Sequence, residues 1–134
     1  NLENNIIFVG SINDSQKKYL FNRTNLMVMP TIDERHNQSI EGFGIAYIEA
    51  AFFAIPSIAT NFGGGSEAVI NNVTGKIINN LEYLYPSILD LLSDQNKILE
   101  LGKNAQNRAV TEFNWDYITD KYFTLINNLI SKSN

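Results

Sequence analysis

The most apolar stretch of the chain is GFGIAYIEAAFFAIPSIAT, which runs from Gly42 to Thr60. Glu49 and Pro56 interrupt it, whereas a membrane-spanning helix needs about 20 apolar residues without such breaks. Its apolar residues recur with helical spacing and predict a buried helix over Gly44–Phe53, followed by a buried strand from Pro56 to Thr60. The predicted inner stripe of that helix consists of Ile45, Ile48, Ala51 and Phe52.

Short apolar runs elsewhere in the chain predict further buried strands, separated by helices. The predicted strands are IIFVG (Ile6–Gly10), LMVMP (Leu26–Pro30) and KIIN (Lys76–Asn79). The other predicted helices run from Asp14 or Ser15 to Asn22, and over 66–71, 81–92 and 95–112. A last helix is expected to be capped by Asn114 and to pack through Trp115, Ile118, Tyr122, Leu125 and Leu129. This alternation predicts an α/β fold with a Rossmann-like parallel sheet flanked by helices.

Length and composition are typical of one folded domain spanning residues 1–134, with 44% hydrophobic and 18% charged residues. The chain has no Cys and only one His, His36, which excludes disulfides and His-cluster zinc sites. A net charge of -4 argues against nucleic-acid binding. No signal peptide is visible in residues 1–10, so the cytoplasm is the expected compartment. Because the first residue is not Met, we expect the chain either to begin inside a longer protein or to follow a removed tag.

The residues with the clearest chemical potential surround the start of the predicted helix, where the loop ends in Glu41-Gly42-Phe43-Gly44. The unpaired N–H groups and the dipole of a helix N-terminus attract phosphate, and small residues let it approach the backbone. The carboxylates of Glu41 and Glu49 are suited to accept hydrogen bonds from sugar hydroxyls. Glycines and a glutamate near a helix start are also common without any ligand. A glutamate inside an apolar helix, with no basic neighbour in sequence, favours a functional role for Glu49.

From Phe8 to Asn79 the sequence resembles the second half of the C-terminal domain of retaining glycosyltransferases of family 4, which have the GT-B fold. The matching segments are FVG, LMVMP, EGFGIAYIEAA, IPSIATNFGGGSEAV and TGKII, in that order. Glu41 and Glu49 have the spacing of the family's E-x7-E motif. The segment Phe113–Ile126 is similar to the family's closing helix.

The resemblance implies a role for each matched residue. Glu41 would contact hydroxyls of the donor hexose and is the candidate catalytic residue. Gly42 and the backbone of Phe43, Gly44 and Ile45 would hold the donor diphosphate, and Glu49 would accept both ribose hydroxyls. Gly63 and Gly64 would let the next loop pass close to the donor or to the cleft between the domains, with Glu67 starting the short helix behind it. The donor would be a nucleotide-sugar, and no metal or other cofactor is expected.

The resemblance also defines what this chain lacks. The family's first two strands of this domain, with the Arg and Lys that neutralise the diphosphate, are not in the sequence, and neither is an N-terminal domain. That domain would bind the acceptor, a sugar or a lipid-linked glycan as in the synthesis of bacterial surface polysaccharides, and could bring the enzyme to the inner membrane face. Without those strands, we expect Ile6–Gly10 and Leu26–Pro30 either to pair directly or to be bridged by a second copy. Ala54 and Ile55 replace the family's usual Gly and Lys.

Other noticeable residues have plainer interpretations. Arg35 and His36 are expected to be solvated in the loop over residues 31–40. The tyrosines of the predicted helices and Trp115 are expected to be packing residues; these tyrosines are Tyr83, Tyr85, Tyr117 and Tyr122.

Two rival functions stay open, namely a free-standing α/β module that binds a nucleotide or a protein, and a degenerate glycosyltransferase-like scaffold. The sequence does not identify the base, the hexose or the acceptor.

Overall fold

The computed structural model of the chain describes residues 2–32 and 42–132. Its strands are β1 (Met27–Val28), β2 (Ser57–Thr60) and β3 (Gly75–Ile78). Its α-helices are α1 (Asp14–Phe21), α2 (Ile45–Phe52), α3 (Gly65–Ala68), α4 (Leu84–Ser93), α5 (Gln95–Glu112) and α6 (Trp115–Lys132). Short 3-10 turns span Glu3–Asn5 and Leu81–Tyr83.

The described strands form one parallel sheet in the order β1-β2-β3, and helices flank it. Met27 lies opposite Ser57, and Ser57 lies opposite Gly75. A side chain at Gly75 would overlap the backbone of Ser57, so glycine lets these two strands pair closely at this point. The predicted α/β fold with a parallel sheet is confirmed.

The central strand β2 separates two apolar clusters, as expected for a strand that is covered on both faces. On one face Ala59 packs with Tyr47 and Ile48 of α2 and with Ala105 of α5. On the other face Ile58 packs with residues of β3, α4 and α5, namely Ile78, Leu91, Ile98 and Leu101. Because α5 contributes to both clusters, it is the helix that ties the sheet to α2.

The prediction of a buried strand over Ile6–Gly10 is wrong. The segment lies in no strand, and the Phe8 side chain is 94% exposed. An apolar run becomes a buried strand only beside neighbouring strands, and none of the described strands lies beside this one. Direct pairing of the Ile6–Gly10 segment with β1 is therefore wrong as well, while association with a second copy stays a prediction.

The predicted packing of the last helix is also wrong. The side chain of Asn114 does cap α6, because it accepts the Tyr117 N–H at 2.8 Å. However, α6 has no buried residue, and Trp115 is 84% exposed. The tyrosines expected to pack are likewise exposed: Tyr83, Tyr85, Tyr117 and Tyr122. The helical spacing identified an apolar face correctly, but within the described residues nothing buries it.

No helix in the described ranges is long and apolar enough to cross a membrane.

Smaller differences concern helix and strand ends. The bounds predicted for α5 are confirmed, whereas β1 and α3 are shorter than predicted. Asn13, rather than Asp14 or Ser15, caps α1 through reciprocal hydrogen bonds with Gln16. In α2 the buried residues are Tyr47, Ile48, Ala50 and Ala51, while Ile45 and Phe52 of the predicted stripe are exposed. The buried face of α2 is rotated relative to the predicted stripe because the helix packs against β2 and α5 together.

Candidate functional site

The segment that follows β1 is anchored at the carboxyl edge of the sheet, where parallel α/β folds bind their ligands. The hydroxyl of Tyr47 on α2 donates a hydrogen bond to the carbonyl of Met29. The N–H of Thr31 donates to the Thr60 hydroxyl oxygen at 3.0 Å, and that hydroxyl donates to the Thr31 carbonyl at 2.5 Å. Both the neighbouring helix and the neighbouring strand therefore fix the chain at the end of β1.

The start of α2 depends on the conformation of Gly44. Its φ of +79° lies in the left-handed region, and a side chain there would also collide with the ring of Tyr47. This turn begins α2 at Ile45, and the Tyr47 N–H on the first turn donates to the Gly44 carbonyl at 2.9 Å. The N–H groups at the start of a helix point out of its N-terminal end. Gly42, Phe43, Gly44 and Ile45, all predicted from the sequence as site residues, lie at this point.

The glycine turn after β2 lies directly against this loop. A Cβ atom at Gly64 would overlap the carbonyl oxygen of Gly42 and the Cα of Phe43, so the two backbones touch with no side chain between them. Gly63 has a φ of +58°, which also favours glycine. The structure thus brings the Gly63–Gly64 turn together with the loop before α2, and the proximity of this turn to a donor stays a prediction.

Helix α5 supports both loops through residues that the sequence analysis missed. The guanidinium of Arg108 donates to the carbonyls of Ala68 and Glu67 at 2.8 and 2.9 Å, and to the Glu112 carboxylate at 2.9 Å. The guanidinium carbon of Arg108 also lies 4.9 Å from the centre of the Phe113 ring. The centre of the Phe113 ring in turn lies 5.6 Å from the centre of the Phe43 ring. The sequence contains a pattern that indicates this role, because Arg108 places a positive charge beside the apolar positions Ala105 and Ala109, which are buried on α5.

Glu49 lies on the second turn of α2 and forms an ion pair. The Lys17 ammonium donates to Glu49 Oε1 at 2.6 Å, with the two side chains 38% and 40% exposed. The hydrogen bond to Glu49, followed by the charge of that carboxylate, raises the pKa of Lys17 above its usual value. Glu49 has no basic neighbour in sequence, because Lys17 lies 32 residues away along the chain.

Three of the residues considered from the sequence, Glu41, Arg35 and His36, lie outside the described residues. Glu67 is exposed on α3, and its backbone carbonyl rather than its carboxylate is held by Arg108. Within residues 2–32 and 42–132, no group of acidic or His side chains could hold a metal ion.

Residues 1–108 match the sequence profile of the family described as Glycosyl transferases group 1. The chain belongs to this glycosyltransferase family. Over 133 residues it is 32% identical to O-antigen chain mannosyltransferase C of Escherichia coli, an alignment that covers 96% of this chain and 34% of that protein. The prediction that the chain is part of a glycosyltransferase is therefore confirmed at the level of this family.

Solved structures of other glycosyltransferases have the same fold. Sucrose-phosphate synthase from Thermosynechococcus elongatus superposes with a TM-score of 0.79 and 28% identity, over 98% of this chain and 32% of that one. Anabaena HepE in complex with UDP and glucose gives a TM-score of 0.77 and 24% identity, over 95% of this chain and 33% of that one. The glycosyltransferase chain described here therefore spans about a third of the length of these relatives.

Proposed function

We propose that this chain is the donor-binding part of the C-terminal domain of a retaining GT-B glycosyltransferase of family 4. The complete enzyme would transfer a hexosyl group from a nucleotide-sugar to a sugar or lipid-linked glycan. The observation that carries the proposal is the start of α2, where the Gly64 backbone meets the Gly42–Gly44 loop one helical turn before Glu49. This arrangement supports binding of a diphosphate beside a ribose.

The chemistry follows from the direction of α2. Its first-turn N–H groups and its dipole favour the negative charge of a diphosphate at Phe43, Gly44 and Ile45. Helical side chains tilt toward the N-terminus, so the Glu49 carboxylate leans toward the same end. In a nucleotide the ribose is joined to the diphosphate, and its two hydroxyls would donate to Glu49. Glu41, adjacent in sequence to Gly42, would contact the donor hexose, and the proposal requires no metal.

The relatives suggest which donor and acceptor to try first. One relative is named as an O-antigen chain mannosyltransferase, and another, from Mycobacterium tuberculosis, is named as a GDP-mannose-dependent mannosyltransferase. HepE was solved with UDP and glucose. GDP-mannose and UDP-glucose are therefore the first donors to test, and a bacterial surface glycan is the first acceptor class. A lipid-linked acceptor would bring the complete enzyme from the cytoplasm to the inner membrane face.

The ribose assignment is tested by Glu49→Gln in the complete enzyme. The substitution keeps the shape of the side chain and removes a charge-assisted acceptor, a loss of about 1.5–3 kcal/mol of binding free energy. We expect the donor Kd, measured by calorimetry, to rise about tenfold or more. Glu100→Gln is the matched control because Glu100 is exposed on α5. Unchanged donor affinity in Glu49→Gln would remove Glu49 from the ribose site.

The catalytic assignment is tested separately by Glu41→Gln. If the contact between Glu41 and the hexose strengthens in the transition state, turnover should fall more than donor affinity. Steady-state kinetics with a saturating acceptor separates kcat from the donor KM. Normal turnover in this variant would exclude Glu41 from the reaction.

A further inference from the structure

The ion pair between Lys17 and Glu49 joins helices α1 and α2. One turn further along each helix, the rings of Phe21 and Phe53 pack 5.2 Å apart. Lys17 and Phe21 are separated by four positions on α1, as are Glu49 and Phe53, the residue that directly follows α2, so each pair lies on one side of its helix. Because both contacts follow the chain in the same order, α1 and α2 run side by side in the same direction.

This parallel arrangement places Lys17 beside the second turn of α2, nearer to the start of that helix than the contact between Phe21 and Phe53. The Lys17 ammonium is therefore on the same side of the molecule as the Gly42–Gly44 loop, and it holds one carboxylate oxygen of Glu49 at 2.6 Å. A carboxylate has two oxygens and about four lone-pair positions, so a bond to Lys17 leaves capacity for two hydroxyl donors. Among the described residues, Lys17 is the cation paired with Glu49.

We propose that Lys17 is a positioning residue that holds the Glu49 carboxylate in the orientation that accepts the ribose hydroxyls of a nucleotide. The inference rests on the proposed function, because it assumes that Glu49 binds ribose. Glutamate has several rotatable bonds and loses side-chain entropy when it is fixed, so a partner that fixes it beforehand lowers that cost on binding. The hydrogen bond to Glu49 and the charge of its carboxylate raise the pKa of Lys17, so the ammonium is fully charged at neutral pH.

The test measures nucleoside diphosphate affinity in the complete enzyme that carries this chain. The probe is whichever of GDP, UDP and ADP binds most tightly by calorimetry, together with its 2′,3′-dideoxy counterpart. Lys17→Met should raise the Kd of the natural nucleotide about two- to fivefold, the size expected for a partly exposed ion pair. Lys17→Arg should restore most of the affinity. Lys18→Met, on an exposed position of the same helix, should leave the Kd unchanged.

Two comparisons distinguish positioning from other roles of Lys17. In a Glu49→Gln background, Lys17→Met should have no further effect, because the group that it positions is altered. With the dideoxy nucleotide, Lys17→Met should again have no effect, because both hydroxyl donors are absent. An equal effect on the natural and dideoxy nucleotides would overturn the proposal and indicate direct contact of Lys17 with the base or the diphosphate. A lower unfolding temperature with unchanged Kd would overturn it in favour of a structural pair.

The outcomes also separate this inference from the function on which it rests. If Glu49→Gln weakens binding and Lys17→Met does not, the ribose site stands and the positioning role fails. If Glu49→Gln leaves the Kd unchanged, or none of the three nucleotides binds, the proposed function fails and the role of Lys17 fails with it.

Discussion

Ala54 has a φ of +57°, in the left-handed region that L-residues other than Asn and Asp rarely adopt. It follows α2 at the position where the resembled family has glycine. The left-handed conformation costs a residue with a Cβ about 1–2 kcal/mol, whereas glycine adopts it freely. Replacing Ala54 by glycine would remove this cost. Glycine also makes the unfolded chain more flexible, which stabilises the unfolded state by roughly 0.5–1 kcal/mol and offsets part of the gain. We therefore expect Ala54→Gly to raise the free energy of unfolding by up to about 1 kcal/mol, measured by urea denaturation.

Asn72 provides the matched comparison at the same scale. Its φ of +59° is nearly the same, but the short polar side chain of Asn tolerates this conformation. Asn72→Gly should consequently change the free energy of unfolding much less than Ala54→Gly does. Equal gains at the two positions, or a loss at Ala54, would show that backbone strain is not what distinguishes Ala54.

At the scale of elements, Arg108 is the side chain through which α5 holds α3 and the glycine turn. It donates to two backbone carbonyls through separate nitrogens, a geometry that the single ammonium of Lys cannot reproduce. The Arg108 side chain is only 17% exposed, so water poorly replaces its hydrogen bonds to the two carbonyls when the guanidinium is removed. We expect Arg108→Lys to lower the free energy of unfolding by about 1–2 kcal/mol. Denaturation of Arg23→Lys, at an exposed position, is the control, and equal effects would contradict the anchoring role.

The elements that the sequence predicted well are those whose partners lie within the chain. Helix α5 and strand β2 pack against each other, and their apolar pattern determines their bounds and most of their buried residues. Ile6–Gly10 and α6 have equally clear apolar patterns but are exposed. Periodicity identifies a face that needs burial without identifying what buries it. The Lys17–Glu49 pair was missed for a related reason, because only the packing of α1 on α2 brings the two charges together.

At the scale of the whole molecule, the balance of charge limits what the chain can bind alone. Its formal net charge is -4, and Lys17, the described cation nearest Glu49, is already paired with that carboxylate. The N-terminus of α2 offers the equivalent of about half a positive charge, whereas a nucleotide diphosphate carries roughly two negative charges. The resembled family supplies an Arg and a Lys from strands that this sequence does not contain. The positive charge that these 134 residues offer therefore neutralises only a small part of the negative charge of a diphosphate.

From this balance we expect the purified 134-residue chain to show no glycosyl transfer and, at most, millimolar binding of GDP-mannose or UDP-glucose. Each absent charge-assisted contact removes about 1.5–3 kcal/mol, so the loss of two weakens binding by roughly a hundredfold or more. Transfer also needs an acceptor held beside the donor, and the groups proposed to do this lie outside the chain. Ligand-observed NMR measures the binding, and donor hydrolysis and transfer to added sugars measure the activity, with the Glu41→Gln chain as the control. Micromolar affinity, or turnover above that control, would mean that the start of α2 and its surrounding loops bind the donor without help from a second domain.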